Sequence, residues 1–316
     1  MGTAYADQAH AINARDVSFD FDSVPMHYIP GEVMATHIIN VMHLVLPEGE
    51  RAMAQALAEA LPLIDDERLR EEVRGFIGQE TMHAGSHEKA RHQLERLGLE
   101  VGPMVDRVSW LIDRLLGDHG LSGRAKREWL CERLALFAGM EHYTAVIGEW
   151  LLTNDKLAEK GMHPAMLDLV RWHGAEEVEH RSVVYDAYMH LDGGYARKAR
   201  QALIASSGLL ALFVTSGAYL FQQDPSPNKG RWWPLQMASA SLRGVVPNFT
   251  TFLTEIPRYL RPGFHPSQLG PMDNALRYLA QSPAARANAV TERSEGTINT
   301  VAQAGVTQPS SSEAQS

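Results

Sequence analysis

Residues 173–180 read HGAEEVEH, and residues 78–87 read GQETMHAGSH. On a helix, positions three and four apart share a face. His173, Glu177 and His180 then project together, on a stripe continued by Met166, Leu169, Val170, Val184 and Ala187. Glu80 and His83 do the same, with His87 one turn on, along the stripe Val73, Phe76, Ile77 and Ala84. Acids and imidazoles set into inward-turned faces are costly to bury unless something compensates them. Glu176 and Glu179 fall beside the stripe of His173, Glu177 and His180 and can reach solvent.

A single Glu-x-x-His says little, because exposed helix faces often carry both residues. Two copies on apolar stripes, with lone acids on two further helical segments, form a sharper pattern. It is that of a carboxylate-bridged two-metal site, with one Glu from each of two helices and a Glu-x-x-His pair from each of the others. Glu141 lies on the line Leu134, Ala138, Ala145, Gly148 and fits better than Glu132 or Glu149. Glu50 is the other lone acid, with Glu48 as its alternative. The expected ligands are therefore Glu50, Glu80, His83, Glu141, His173, Glu177 and His180, one imidazole richer than the minimal six. His87 is expected either as a further ligand or as a group holding a bridging acid in place, and Asp186 as an acceptor of a ligand N–H. Carboxylates with imidazoles suit two iron ions; manganese also fits, and zinc would go with hydrolysis. Two buried salt-bridge networks are the competing account, hard to justify twice.

The elements that must position these residues are helices. No alternating apolar run or Asn-Gly hairpin signal stands out. Residues 32–45 are apolar, and Pro47 is expected to open a second helix that carries Glu50. Longer helices are expected over 65–97, 123–152 and 164–190, and a shorter one over 104–116. The fold class is all-α, a helix bundle around a two-metal carboxylate and histidine core, with additional C-terminal helices. Residues 202–221 carry no charge over a length that could span a bilayer. Arg197, Lys198 and Arg200 precede them and Trp232 and Trp233 follow, which suits membrane contact. A buried fifth helix is the other reading. Residues 224–271, broken by prolines, look like wrapping segments with short helices. The division expected is an N-terminal extension over 1–24, a helical metal-binding domain over 25–283 and a disordered tail over 284–316.

The text PEGER, GQETMH, EHYT and WHGAEEVEHRSVVYD resembles a bacterial family of predicted metal-dependent hydrolases over roughly residues 25–265. The ligand order resembles that of ferritin-like di-iron oxygenases, especially the p-aminobenzoate N-oxygenase type with its extra histidine. By this resemblance Glu50, Glu80, His83, Glu141, Glu177 and His180 would be metal ligands and His173 the additional one.

Composition narrows the function. The net charge is −9 with no sustained basic run, which speaks against nucleic acid as a partner. Cys131 is the single cysteine, so no intrachain disulfide or cysteine metal cluster forms; it reads as a small buried residue. No secretory signal is apparent, and a cytoplasmic location, with association to the inner membrane as an option, is expected. No Walker loop, nucleophile elbow or dinucleotide fingerprint appears. The expected function is di-iron oxidation of a small or lipid-like organic substrate with dioxygen. An external electron donor is required, and a homodimer is the expected assembly. A metal-dependent hydrolase using the same site, and a non-catalytic metal-binding bundle, are the alternatives.

Overall fold

The structure is a computed structural model, and it describes residues 11–286 apart from positions 228 and 231. Eleven α-helices and no strand occur among the described residues. They are α1 (Val33–Ala60), α2 (Glu67–Arg96), α3 (Gly102–Leu116), α4 (Gly123–Thr153), α5 (Lys156–Glu159), α6 (Pro164–His180), α7 (Val183–Leu191), α8 (Tyr195–Gln223), α9 (Trp233–Arg243), α10 (Thr251–Tyr259) and α11 (Asp273–Leu279). The fold is the expected all-α bundle. Helices α1, α2, α4 and α6 surround the centre, and α8 packs on α1 and α4.

Local chemistry marks several of the ends. Asp66 caps α2 by accepting the N–H of Leu69 at 3.1 Å. Gly98, at φ +88°, supplies the left-handed residue that closes it. Pro164 opens α6, where its missing N–H costs nothing.

Two helix boundaries differ from expectation. Pro47 does not start a helix; α1 runs through it from Val33 to Ala60. An interior proline costs about 3 kcal/mol. The unbroken burial of Met34 to Val45, against neighbours on several sides, outweighs that cost. The segment 164–190 is not one helix either, since α6 ends at His180 and α7 begins at Val183. Arg181, at the break, donates to the carbonyls of Ser267 and Gly270. A tertiary contact fixes this bend, and no glycine or proline announces it.

The segment before α1 is part of the core. Val17, Phe21 and Val24 are buried with Trp172 and residues of α1 and α6. Residues 1–10 of the expected extension, and 287–316 of the expected tail, lie outside the described residues. Ala284, the first residue of that tail, is buried, and its N–H donates to Asp168 at 3.0 Å.

Candidate metal centre

Four helices bring the centre together. Glu50 comes from α1, Glu80 and His83 from α2, Glu141 from α4, and His173, Glu177 and His180 from α6. All seven side chains are buried. The close approach of α4 and α6 depends on a glycine pair. A Cβ on Gly148 would sit 2.4 Å from the carbonyl oxygen of Gly174.

Glu177 faces both halves of the centre. Its Oε1 lies 3.0 Å from His173 Nε2 and 3.6 Å from His83 Nδ1, and its Oε2 lies 3.4 Å from His180 Nε2. Glu80 Oε1 is 3.4 Å from both His83 Nδ1 and His180 Nε2. Glu141 Oε2 reaches His180 Nε2 at 3.3 Å, and Glu50 Oε1 stands 3.9 Å from His173 Nδ1. Six of the seven fall into two groups that share Glu177: Glu50, His83, His173 and Glu177, and Glu80, Glu177 and His180; Glu141 joins neither and meets the second through His180. Within each group they lie within 4.8 Å of one another. Glu177, the member common to both, is therefore placed between them.

The residues fit a pair of cations. Both oxygens of Glu50 and of Glu80, Glu141 Oε2, Glu177 Oε2, His83 Nδ1 and His180 Nε2 are buried without a hydrogen-bond partner. Orphaned polar atoms in one core are individually costly, and here they all turn toward the same interior. The four carboxylates of Glu50, Glu80, Glu141 and Glu177 carry formal charge −4, which two divalent ions would neutralise.

The electrostatics carry the same strain. Burial, then the neighbouring Glu80 carboxylate, pushes Glu50 well above the usual carboxylate range. Burial, then Glu177, pushes Glu141 up to about 8. Burial also raises Glu177, but His180 and His173 outweigh it and hold Glu177 well below the ordinary value. Burial would depress His83 and His180, yet facing carboxylates win and raise both. His173 is lowered by burial and by the neighbouring His83.

An outer layer orients the ligands. His83 Nε2 is 2.9 Å from Glu176 Oε2, which leaves Nδ1 for the centre. His180 Nδ1 is 2.9 Å from Gln79 Oε1, which leaves Nε2. Gln79 in turn donates to Glu179 at 2.6 Å. Arg15 donates to both Glu176 and Glu179 at 2.7 Å. Carboxylates on the far nitrogen of a metal-facing histidine fix its tautomer and raise its basicity. The expectation that Glu176 and Glu179 reach solvent is overturned, because both are buried beneath the N-terminal segment.

His87 stands between two other imidazoles. Its Nε2 is 3.0 Å from His173 Nδ1 and its Nδ1 is 2.7 Å from His43 Nδ1. It touches a candidate ligand and is not itself grouped with the donor atoms. Asp186 is elsewhere: its Oδ1 pairs with His265 Nε2 at 2.9 Å, and it meets none of the candidate ligands in a hydrogen bond among the described residues. The break after His180 turns α7 away from the line of α6, so the helical spacing does not carry across. Arg181 binds backbone carbonyls as described, and Cys131 is buried.

A narrow cavity of about 40 Å³ abuts His173. Met42, Val45, Leu46, Ile147, Leu209 and Phe213 give it an apolar lining. Tyr143 also lines it, with its hydroxyl turned away to donate to the Phe252 carbonyl at 2.9 Å. Leu209 and Phe213 belong to α8, whose outer side exposes Leu203 and Ile204. The helix is long and apolar enough to cross a membrane, and 39% of its most apolar window is buried in the bundle.

Comparison with known proteins agrees with this centre. The profile of a family described as predicted metal-dependent hydrolase matches residues 13–270. The chain belongs to that family. The match begins ahead of the stretch that the sequence motifs suggest and takes in Arg15 and every candidate ligand. No curated protein and no solved structure matches the chain significantly. Membership makes metal dependence the family's character and an enzyme the expected kind of protein; it leaves the reaction and the metal open.

Proposed function

We propose that this chain uses a carboxylate-bridged pair of iron ions to oxidise a slender apolar substrate with dioxygen. The observation that carries the reading is Glu177, whose two oxygens face histidines of both donor groups. Bound as ferrous ions, the two metals would supply electrons to dioxygen. The rest is the work of the chain. Glu50, Glu80, Glu141 and Glu177 offset the metals' charge. Glu176 and Gln79 hold the His83 and His180 rings in one tautomer and orientation. The apolar slot beside His173 excludes water and offers no cationic clamp for a phosphate or carboxylate. At about 40 Å³ it takes only a thin chain unless α8 shifts. Such a substrate would arrive past α8, whose exposed Leu203 and Ile204 suit contact with a lipid surface. A separate donor would deliver electrons.

Hydrolysis at the same centre is the second reading, and the family's description supports it more directly than it supports oxidation. There the metals would lower the pKa of a bound water toward neutrality. One experiment separates them. Protein loaded anaerobically with Fe(II) is exposed to oxygen, and uptake and visible absorbance are followed. The same protein loaded with Zn(II) or Mn(II) is tested on acyl esters and phosphate esters. Oxygen uptake that disappears in Glu80→Ala and Glu177→Ala supports oxidation. Inert Fe(II) protein together with ester cleavage by the Zn(II) form would sink it in favour of hydrolysis.

A further inference from the structure

A second group of metal-type side chains meets well away from this centre. His27 lies in the segment before α1, His37 in the early turns of α1, and Asp224 directly after α8. His27 Nε2 is 2.6 Å and His37 Nε2 is 2.9 Å from the same oxygen, Asp224 Oδ2. The three donor atoms lie within 4.8 Å of one another. The side chains of His37 and Asp224 are fully buried, whereas that of His27 is 25% exposed. The group thus has a dry floor and an open rim.

We propose that His27 Nε2, His37 Nε2 and Asp224 Oδ2 form a second, mononuclear site for a divalent cation of the zinc type. Two imidazoles and a carboxylate are a zinc donor set, and three protein ligands leave a fourth position for water. At zinc–ligand distances near 2.0 Å, tetrahedral donors stand ~3.3 Å apart. The His27 contact on Asp224 would need to open by ~0.7 Å and the His37 contact by ~0.4 Å, and the larger share falls to His27, on a non-helical segment at the surface.

The surroundings accept this occupancy. Asp224 Oδ1 already takes the Ser226 N–H at 2.8 Å, which directs Oδ2 at the imidazoles. Lys229 Nζ donates to the carbonyls of Gln222 and Asp224, so these contacts do not claim the carboxylate. A cation on His37 Nε2 requires a proton on Nδ1 and an acceptor for it. His37 Nδ1 is 3.4 Å from the Asn40 amide, whose other end meets the Tyr28 hydroxyl at 2.8 Å. Amide ends are interchangeable in such a network. Turned over, Asn40 Oδ1 accepts from His37 Nδ1, and its NH₂ donates to the Tyr28 oxygen. Tyr28 then donates to the Thr36 carbonyl, 3.3 Å away. Each of these buried groups keeps a partner, as an outer layer behind a metal-bound histidine should. The cation would tie the N-terminal segment, α1 and the end of α8 together, across 197 positions of sequence.

The test uses the full chain with Glu80→Ala and Glu177→Ala, which disable the first centre, stripped with chelator and titrated with Zn²⁺ by calorimetry. Co²⁺ serves as the spectroscopic probe. One equivalent of Zn²⁺ is expected, with intense visible Co²⁺ bands of a low-coordinate site. Adding His27→Gln should weaken binding by more than about 100-fold, beyond what loss of an outer partner costs. Chelator should lower the melting temperature of the parent and leave the His27→Gln protein unmoved. No stoichiometric binding by the parent, or equal binding by His27→Gln, overturns the proposal. If the Glu80/Glu177 background does not fold, metal counting on the otherwise unaltered chain decides. His27→Gln must then remove one zinc per chain, and an unchanged count overturns the site.

Discussion

Arg15 grips Glu179 as a fork, its two terminal nitrogens each donating to a different carboxylate oxygen at 2.7 Å. The same guanidinium reaches Glu176 at 2.7 Å. Glu176 holds His83, and Glu179 holds His180 through Gln79. One cation thus governs the orientation of a histidine in each half of the centre. Arg15→Ala would leave two buried carboxylates without their cation. We expect a loss of roughly 3 kcal/mol in urea denaturation, the low end for breaking a buried pair because Arg15 is 24% exposed. Metal affinity should fall by about 10–100-fold, as when an outer partner of a ligand is removed. Arg15→Lys, unable to fork, should recover stability better than affinity.

Metal-free protein should become less stable as pH rises from neutrality. Glu50 and Glu141 have folded values raised above their unfolded ones, by burial and then by neighbouring carboxylates, with Glu141 near 8. His83 and His180 are raised by their carboxylate partners against the opposing effect of burial. A raised folded value gives stability that is lost as pH climbs through it. His43, lowered by burial to about 3, and His87 and His173 act in the opposite sense, but only up to the unfolded histidine value of 6.5. Glu177, lowered by its histidines against burial, acts below 4.5. The slope above neutrality therefore belongs to the raised groups. Urea midpoints of chelated protein at pH 7 and pH 9 check this, and a flat profile would contradict it. Metal must displace the same protons, so metal affinity should rise over that range.

Gly148→Ala should separate α4 from α6. The added methyl would lie 2.4 Å from the Gly174 carbonyl oxygen, and backbone cannot yield as a flexible side chain does. A loss of about 1–3 kcal/mol follows from overpacking. Because Glu141 rides on α4 and three ligands ride on α6, metal content should fall with it. Metal analysis of the purified variant measures this. Gly85→Ala, which meets nothing within 4 Å, is the control.

Leu209→Trp should fill the slot beside His173 while leaving every candidate ligand residue unaltered. The expected result is full metal content and helix content, with substrate-dependent turnover cut by about tenfold or more, since the slot is already small. Undiminished turnover would place the substrate elsewhere.

Much of this was legible because helical spacing is a strong signal. Glu80 with His83, and His173 with Glu177 and His180, could be paired from their intervals alone, and the structure brings these five together with Glu50 and Glu141. Glu48 is half-buried and pairs with Arg51, and Glu132 binds Arg197, so neither of these alternatives enters the centre. The outer layer was not legible. Arg15 precedes Glu179 by 164 positions, on a segment with no periodicity to read. A clue did exist: two acids flanking an inward stripe need a cation from somewhere once they are buried. Asp186 was misplaced because a helix pattern read through His180 cannot register a bend held by carbonyls of residues 267 and 270. Pro47 misled in the other direction, since local propensity gives way where a helix is surrounded by packing.

Gly75 and Gly78 form a notch on α2 into which the chain start is seated. A Cβ on Gly75 would lie 2.1 Å from the Ile12 carbonyl oxygen, and one on Gly78 would lie 2.9 Å from the Ala14 side chain. Shortened versions of the protein designed to begin at the first helix would discard the non-helical segment that fills this notch. They would lose the Arg15 contacts to Glu176 and Glu179, so metal content should fall even where the circular-dichroism spectrum survives.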